Sequence, residues 1–122
     1  YMRPYWFTLG IQEYADHEED LPLDQHDLLG LIAPRHVYVA SASEDHGADP
    51  KGEFLAAWHA GKIYNLFGLQ GLDCPEEFPA PGTTLHSGAI AYHLRQGGHA
   101  LTYYDWVRYL DYADSILKGI KK

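Results

Sequence analysis

Two residues of this 122-residue chain stand where a proton relay would need them, Asp45 and, 54 positions later, His99. Asp45 follows Glu44 just beyond a short β-prone run, Val37, Tyr38, Val39 and Ala40. His99 follows Gly97 and Gly98 beyond a second such run, Ile90, Ala91, Tyr92, His93 and Leu94. A carboxylate that fixes an imidazole's tautomer leaves the far ring nitrogen able to take the proton of a hydroxyl nucleophile and later return it to a leaving alcohol. From the residues alone, capping or turn roles for both remain open. Ser41, Ser43, Ser87 and Ser115 are the only serines, and none lies in a G-x-S-x-G elbow between strand and helix.

The elements that position this pair are legible in order. Asp24 stands as an N-cap with Asp27 three residues later, and the helix they open closes on Leu28, Leu29, Leu31 and Ile32 before Pro34 stops it. His26 at that helix start fits a structural hydrogen-bonding role, with function as the alternative. Val37 to Ala40 lack polar alternation, which predicts a parallel strand covered on both faces. Its carboxyl end is where open α/β sheets place ligands and catalytic groups. Asp49 and Pro50 then read as the N-cap and first-turn residue of the next helix. Phe54, Leu55, Trp58, Ile63, Leu66 and Phe67 recur near helical spacing as a core face, with a break expected at Gly61 and an end at Gly68.

From Gly68 to Gly88 the prolines and glycines predict a long loop, functional or mobile, with His86 at its surface. After the second strand, Thr102 is expected to cap a last helix. Asp105 lies in its first turn, and Trp106, Tyr109, Leu110, Ala113, Leu117 and Ile120 form its buried stripe. Tyr5, Trp6, Phe7, Leu9, Ile11 and Tyr14 are expected in a core, and the run Asp16 to Asp20 in a solvated loop. Two buried-type strands cannot hide the faces and edges of a sheet, so the chain reads as part of an α/β fold.

Composition narrows the function. A hydrophobic content of 46% supports one small domain without a spanning segment, and the amino terminus lacks the pattern of a signal peptide. A formal charge of −8 argues against nucleic-acid or anionic-membrane partners, which need clustered cations. Lys118, Lys121 and Lys122 do cluster, but at a helix end where the dipole favours them. Cys74 is the only cysteine, and Asp73, Glu76 and Glu77 around it argue against a reactive thiol. None of the eight histidines forms an H-E-x-x-H or comparable pair, so no metal is expected.

Two longer strings carry a resemblance. LPLDQHDLLGLIAPRHVYVASASEDHGADPKGEFLAA and IAYHLRQGGHALTYYDW are similar to the carboxyl-terminal part of glucuronoyl esterases, carbohydrate esterase family 15 of the α/β-hydrolase superfamily. The second string resembles the family's last strand, its catalytic-histidine loop and the start of its final helix. The fold so implied is the carboxyl-terminal portion of an α/β hydrolase, a partial parallel sheet with flanking helices. Residues 1–122 would be one partial domain, lacking the amino-terminal half that bears the nucleophile. The opening YMRPYWF looks cut from the middle of something longer.

The resemblance implies hydrolysis of esters of glucuronic acid on xylan, without metal or organic cofactor, in a secreted or periplasmic setting. His99 would be the general base and Asp45 its carboxylate, although family members differ in whether that acid is instead a glutamate after an earlier strand. The nucleophile and oxyanion donors would lie upstream, in a Gly-Cys-Ser-Arg segment. At the family's EDxWADP pattern this chain has EDHGADP, so His46 and Gly47 stand where an aliphatic residue and a sugar-stacking tryptophan are expected, and both are candidate substrate-binding residues. Another carboxylesterase of the same fold, or a non-catalytic accessory module on this scaffold, are the alternatives. On every reading the chain alone is expected to be inactive.

Overall fold

The computed structural model describes residues 4–6 and 8–120. Short helices α1 (Leu9–Gln12) and α2 (Gln25–Gly30) precede strand β1 (Val37–Ala42) and helix α3 (Pro50–Leu66). Strands β2 (Thr84–Leu85) and β3 (Ile90–Arg95) and helix α4 (Tyr103–Ile120) complete the order. The sheet runs β1-β3-β2. β1 and β3 are parallel, in register from Val37 opposite Ile90 to Ala42 opposite Arg95, while β2 pairs antiparallel with β3.

Alternation along β3 divides the molecule into layers, because successive side chains point to opposite faces. Ile90, Tyr92 and Leu94 join Phe54, Ala57, Ala60 and Tyr64 of α3 in the hydrophobic core. From the other face His93 and Arg95 reach Asp105 on α4. All six residues of β3 are buried. In β1 only Ser41 and Ala42 are buried, and Val37 to Ala40 are half-exposed. The expectation that Val37 to Ala40 form a strand covered on both faces therefore fails, since β1 has a strand neighbour on one side alone among the described residues; the strand buried throughout is β3.

Helix starts follow their caps. Asp24 accepts from the Gln25 amide at 2.6 Å, and a capping box is complete: the Asp24 side chain accepts from the Asp27 amide and the Asp27 carboxylate accepts from the Asp24 amide, the latter at 2.9 Å. At α3 the Asp49 carboxylate accepts from the Gly52 amide at 3.1 Å. Asp49 itself is left-handed, φ 54°, a region that aspartate tolerates better than most residues. Thr102 departs from the expected cap: its amide and hydroxyl both donate to Asp105 Oδ2, at 2.6 and 2.7 Å, so the aspartate does the accepting.

Several expectations are corrected. Helix α3 is unbroken at Gly61, because that glycine serves close packing: a Cβ on Gly71 would lie 2.4 Å from the Gly61 Cα, and one on Gly88 1.7 Å from the Gly71 carbonyl oxygen. The long loop is thus pressed onto α3 and carries the unanticipated strand β2. Its His86 is half-buried, with Nε2 2.7 Å from the Tyr38 hydroxyl. Leu66 and Phe67 are exposed, as are Tyr5, Trp6, Leu9 and Ile11. Phe7 and the side chain of Ile120 lie outside the described residues, as do Lys121 and Lys122.

The largest correction concerns α4. Its inward face is Asp105, Tyr109 and Tyr112, while Trp106, Leu110, Ala113 and Leu117 face outward. Polar partners decide this: the Tyr112 hydroxyl donates to the Gly88 carbonyl at 2.8 Å, and Asp105 takes His93 and Arg95. The outward stripe leaves unused the roughly 1.5–3 kcal/mol that burial of each large apolar side chain would contribute. Among the described residues, no helix is long and apolar enough to cross a membrane.

Candidate active site

The loops leaving β1 and β3 lie side by side because their strands are adjacent and parallel. Two backbone bonds hold them together, Ser43 N–H to the Arg95 carbonyl and Glu44 N–H to the Gly97 carbonyl, each 2.9 Å. Gly97, at φ 112°, makes a turn that other residues rarely adopt. The Asp45 amide donates back to Ala42 at 3.0 Å, closing the first loop into a tight turn.

This arrangement brings two of the sequence-predicted residues together. His99 Nδ1 lies 2.7 Å from Asp45 Oδ2. The carboxylate is 17% exposed and the imidazole 90%. With Nδ1–H donating to the carboxylate, the tautomer puts the lone pair on Nε2, which has no hydrogen-bond partner among the described residues. A cleft of about 490 Å³ adjoins the pair, lined also by Ser41, Glu53, Arg95 and Tyr109.

His46 and Gly47 are exposed and do not line the cleft beside the pair. A Cβ on Gly47 would meet only Asp45 Oδ1, at 4.0 Å, and its φ is not positive, so the position accepts a side chain. His26 is held at the start of α2 between Asp24 and Asp27, at 3.6 and 3.5 Å, and lines a second cleft that shares Ala48 and Glu53 with the one beside His99. None of the four serines bonds to His99. Ser41 donates to Glu53, Ser87 to Asp73 and Ser115 to the Tyr112 carbonyl, while Ser43 Oγ is buried with no partner among the described residues.

Three features in or behind the cleft are not evident from the sequence. Glu53 is half-buried beneath the pair; burial pushes its carboxyl up, the Ser41 hydroxyl opposes this, and Asp45 and Asp49 push it further up. A second buried set joins His93 Nε2 to Asp105 Oδ1 at 2.8 Å and His93 Nδ1 to the Tyr38 hydroxyl at 2.9 Å. Burial lowers the His93 pKa against the pull of Asp105. Arg95, also buried, bonds both carboxylate oxygens of Asp105 at 3.1 Å. Burial alone would raise the Asp105 carboxyl, but Thr102, His93 and Arg95 hold it below the usual range. Only the alternation of β3, putting His93 and Arg95 on one face, hinted at this set.

Among the described residues no three His, Cys, Asp or Glu side chains converge to hold a metal ion. Cys74 is half-buried, and burial with nearby Asp73 raises its thiol pKa, which leaves it a poor nucleophile at neutral pH.

A small mixed sheet between helices, not the wholly parallel one expected, whose parallel strands β1 and β3 carry an acid and a histidine past their carboxyl ends, is part of an α/β-hydrolase fold. Comparison with known proteins gives the family: the profile described as glucuronyl esterase, fungi, matches residues 1–68, more than half the chain. The chain belongs to the glucuronyl esterase family. It is 46% identical over 116 residues to carbohydrate esterase MZ0003, of an unknown prokaryotic organism, a match spanning 95% of this chain and 26% of that protein. Among solved structures it resembles a promiscuous CE15 esterase from the marine bacterial metagenome, with TM-score 0.79 and 47% identity over 84% of this chain and 25% of the other. It also resembles the glucuronoyl esterase from Solibacter usitatus, with TM-score 0.81 and 42% identity over 91% of this chain and 28% of the other. The chain thus spans about a quarter of the length of these relatives.

Proposed function

We propose that this chain is the carboxyl-terminal part of a serine esterase domain and supplies its general base, His99, and that base's carboxylate, Asp45. The observation that carries this reading is the 2.7 Å hydrogen bond between them, formed by loops from adjacent parallel strands, with Nε2 left open. In the reaction, a serine from sequence beyond this chain gives its proton to Nε2 as its oxygen attacks an ester carbonyl. The imidazolium, steadied by Asp45, returns that proton to the departing alcohol. Water repeats the cycle in reverse and releases the acid. The half-exposed edge of β1 and the outward stripe of α4 support an origin in a larger domain, as does the share of the relatives that the chain spans.

The substrate is an ester of glucuronic acid on xylan or a related uronate, by analogy with the relative described as a glucuronoyl esterase, and no cofactor is used. The family resemblance supports a setting outside the cytoplasm, secreted or periplasmic. One observation favours a second reading. The position of the expected sugar-stacking tryptophan is Gly47, in open space, which leaves uronate recognition weaker and fits an esterase with a broader range of acyl groups.

The experiment is an assay of the purified chain and of a full-length enzyme carrying it on benzyl glucuronate and on simple acyl esters. The full-length enzyme should turn over and the chain alone should not, since it lacks an activated nucleophile and oxyanion donors. Turnover by the chain alone that His99→Ala abolishes would overturn the split-domain reading. Full-length activity on acyl esters but not on glucuronates would select the broader esterase.

A further inference from the structure

His99 sits in a loop entered through two glycines, Gly97 and Gly98, the least restrained backbone available. A general base must nonetheless be held to within about half an ångström. Arg95, at the end of β3, meets this need with its whole guanidinium. Nε bonds both oxygens of Asp105 at 3.1 Å. Nη1 donates to the Gln96 carbonyl at 3.1 Å, and Nη2 donates to the Gly98 carbonyl at 2.8 Å and to the Ala100 carbonyl. The carbonyls so held fall on both sides of His99. The one between, from Gly97, is taken by the Glu44 amide of the Asp45 loop.

Asp105 closes the same loop from its far end. Its Oδ2 accepts the Thr102 amide and hydroxyl at the start of α4, so one carboxylate fixes both Arg95 and the residue where the loop re-enters a helix. We propose that Arg95, neutralised by Asp105, is a positioning residue that winds the segment 96–101 around its guanidinium and thereby sets His99 in register with Asp45. The inference rests on His99 being the general base. Lysine cannot substitute: its ammonium can stay with Asp105, but it lacks the planar fork that reaches carbonyls in several directions at once.

The test compares Arg95→Lys, Arg95→Gln and His99→Ala with the parent in a full-length esterase carrying this segment, by three measurements. These are kcat and KM on a glucuronate ester, cooperative thermal unfolding, and the NMR signal of the His99 Nδ1 proton held by Asp45. Arg95→Lys should unfold cooperatively and lose about 10²-fold in kcat, the scale expected for a misplaced catalytic group, with KM little changed and the Nδ1 proton signal lost or broadened. Three results would each overturn the proposal: parent-like kcat in Arg95→Lys, a lowered kcat with an unchanged Nδ1 signal, or loss of cooperative unfolding in both Arg95 variants, which would make Arg95 a support of the whole fold. An active His99→Ala would instead sink the catalytic reading, while the Nδ1 signal still judges whether Arg95 holds the loop.

Discussion

Two histidines six residues apart, His93 and His99, are each hydrogen-bonded to an aspartate, and they differ in what becomes of the second ring nitrogen. His93 and Asp105 are buried, with 0% and 4% of their side chains exposed. His93 Nε2–H donates to Asp105, so Nδ1 accepts from the Tyr38 hydroxyl, whose oxygen in turn accepts from His86 Nε2. Every site on that imidazole is used, and it is a bolt between β3 and α4. His99 engages its carboxylate through Nδ1 and keeps Nε2 open at the surface. Similar bond lengths, 2.8 and 2.7 Å, thus serve opposite ends. A carboxylate beside a histidine does not make a base; a carboxylate and an unused nitrogen do.

The comparison breaks most easily at the exposed pair. In a full-length enzyme, His99→Ala should lower kcat by about 10⁴-fold or more, the scale for losing a triad base. Steady-state kinetics with a glucuronate ester checks this, and near-parent activity would end the assignment. Asp45→Asn should lower kcat less if a glutamate upstream shares the load.

At the buried pair the same substitution should act on stability. His93→Ala leaves the Tyr38 hydroxyl and part of Asp105 without partners and opens space in a packed layer, at a cost of about 2–4 kcal/mol. Urea denaturation measures that, and kcat at a temperature where the variant is folded should change far less than in His99→Ala. A variant as stable as the parent would show that the bolt bears no load.

A pH series sharpens the contrast. Burial lowers the His93 pKa below its unfolded value, and His86 shifts the same way for the same reason. The unfolded chain therefore takes up protons first. The stability these neutral histidines contribute is complete above about pH 6.5 and falls as pH drops through the interval down to their folded values, by at most about 1.4 kcal/mol per pH unit for each. Unfolding midpoints from pH 7.5 to 5 should decline, and His93→Gln should flatten part of that slope. An identical slope in the variant would move the effect elsewhere.

The smallest effect belongs to the loop beside Asp45. Gly47→Trp restores an aromatic face for a sugar's apolar C–H surface at a position with room for it and no positive φ. At roughly 0.5–1.5 kcal/mol for such contacts, KM for a glucuronate ester should fall a few-fold, to about tenfold at most, with kcat nearly constant. An unchanged KM would favour the broader esterase.

Much of this was legible in the sequence because it rests on local chemistry. Asp24 and Asp27 specify a capping box, Asp49 and Pro50 a helix start, and two β-prone runs followed by Asp45 and by Gly97, Gly98 and His99 specify strands with polar loops at their ends. That Asp45 and His99 lie beyond successive strand ends was also legible, but their contact depends on β1 and β3 being direct parallel neighbours, which pairing alone decides. The choice of buried faces was a tertiary matter too. Trp106, Leu110 and Leu117 have the periodicity of a core stripe, yet α4 turns Asp105, Tyr109 and Tyr112 inward, because Asp105 and Tyr112 find hydrogen bonds on β3 and at Gly88 and Tyr109 packs its ring on Tyr38 and His93. Nor does composition distinguish His93 from His99: one is sealed by Tyr38 and Asp105 and the other left open, and only the packing of strand against helix determines which histidine keeps a free nitrogen.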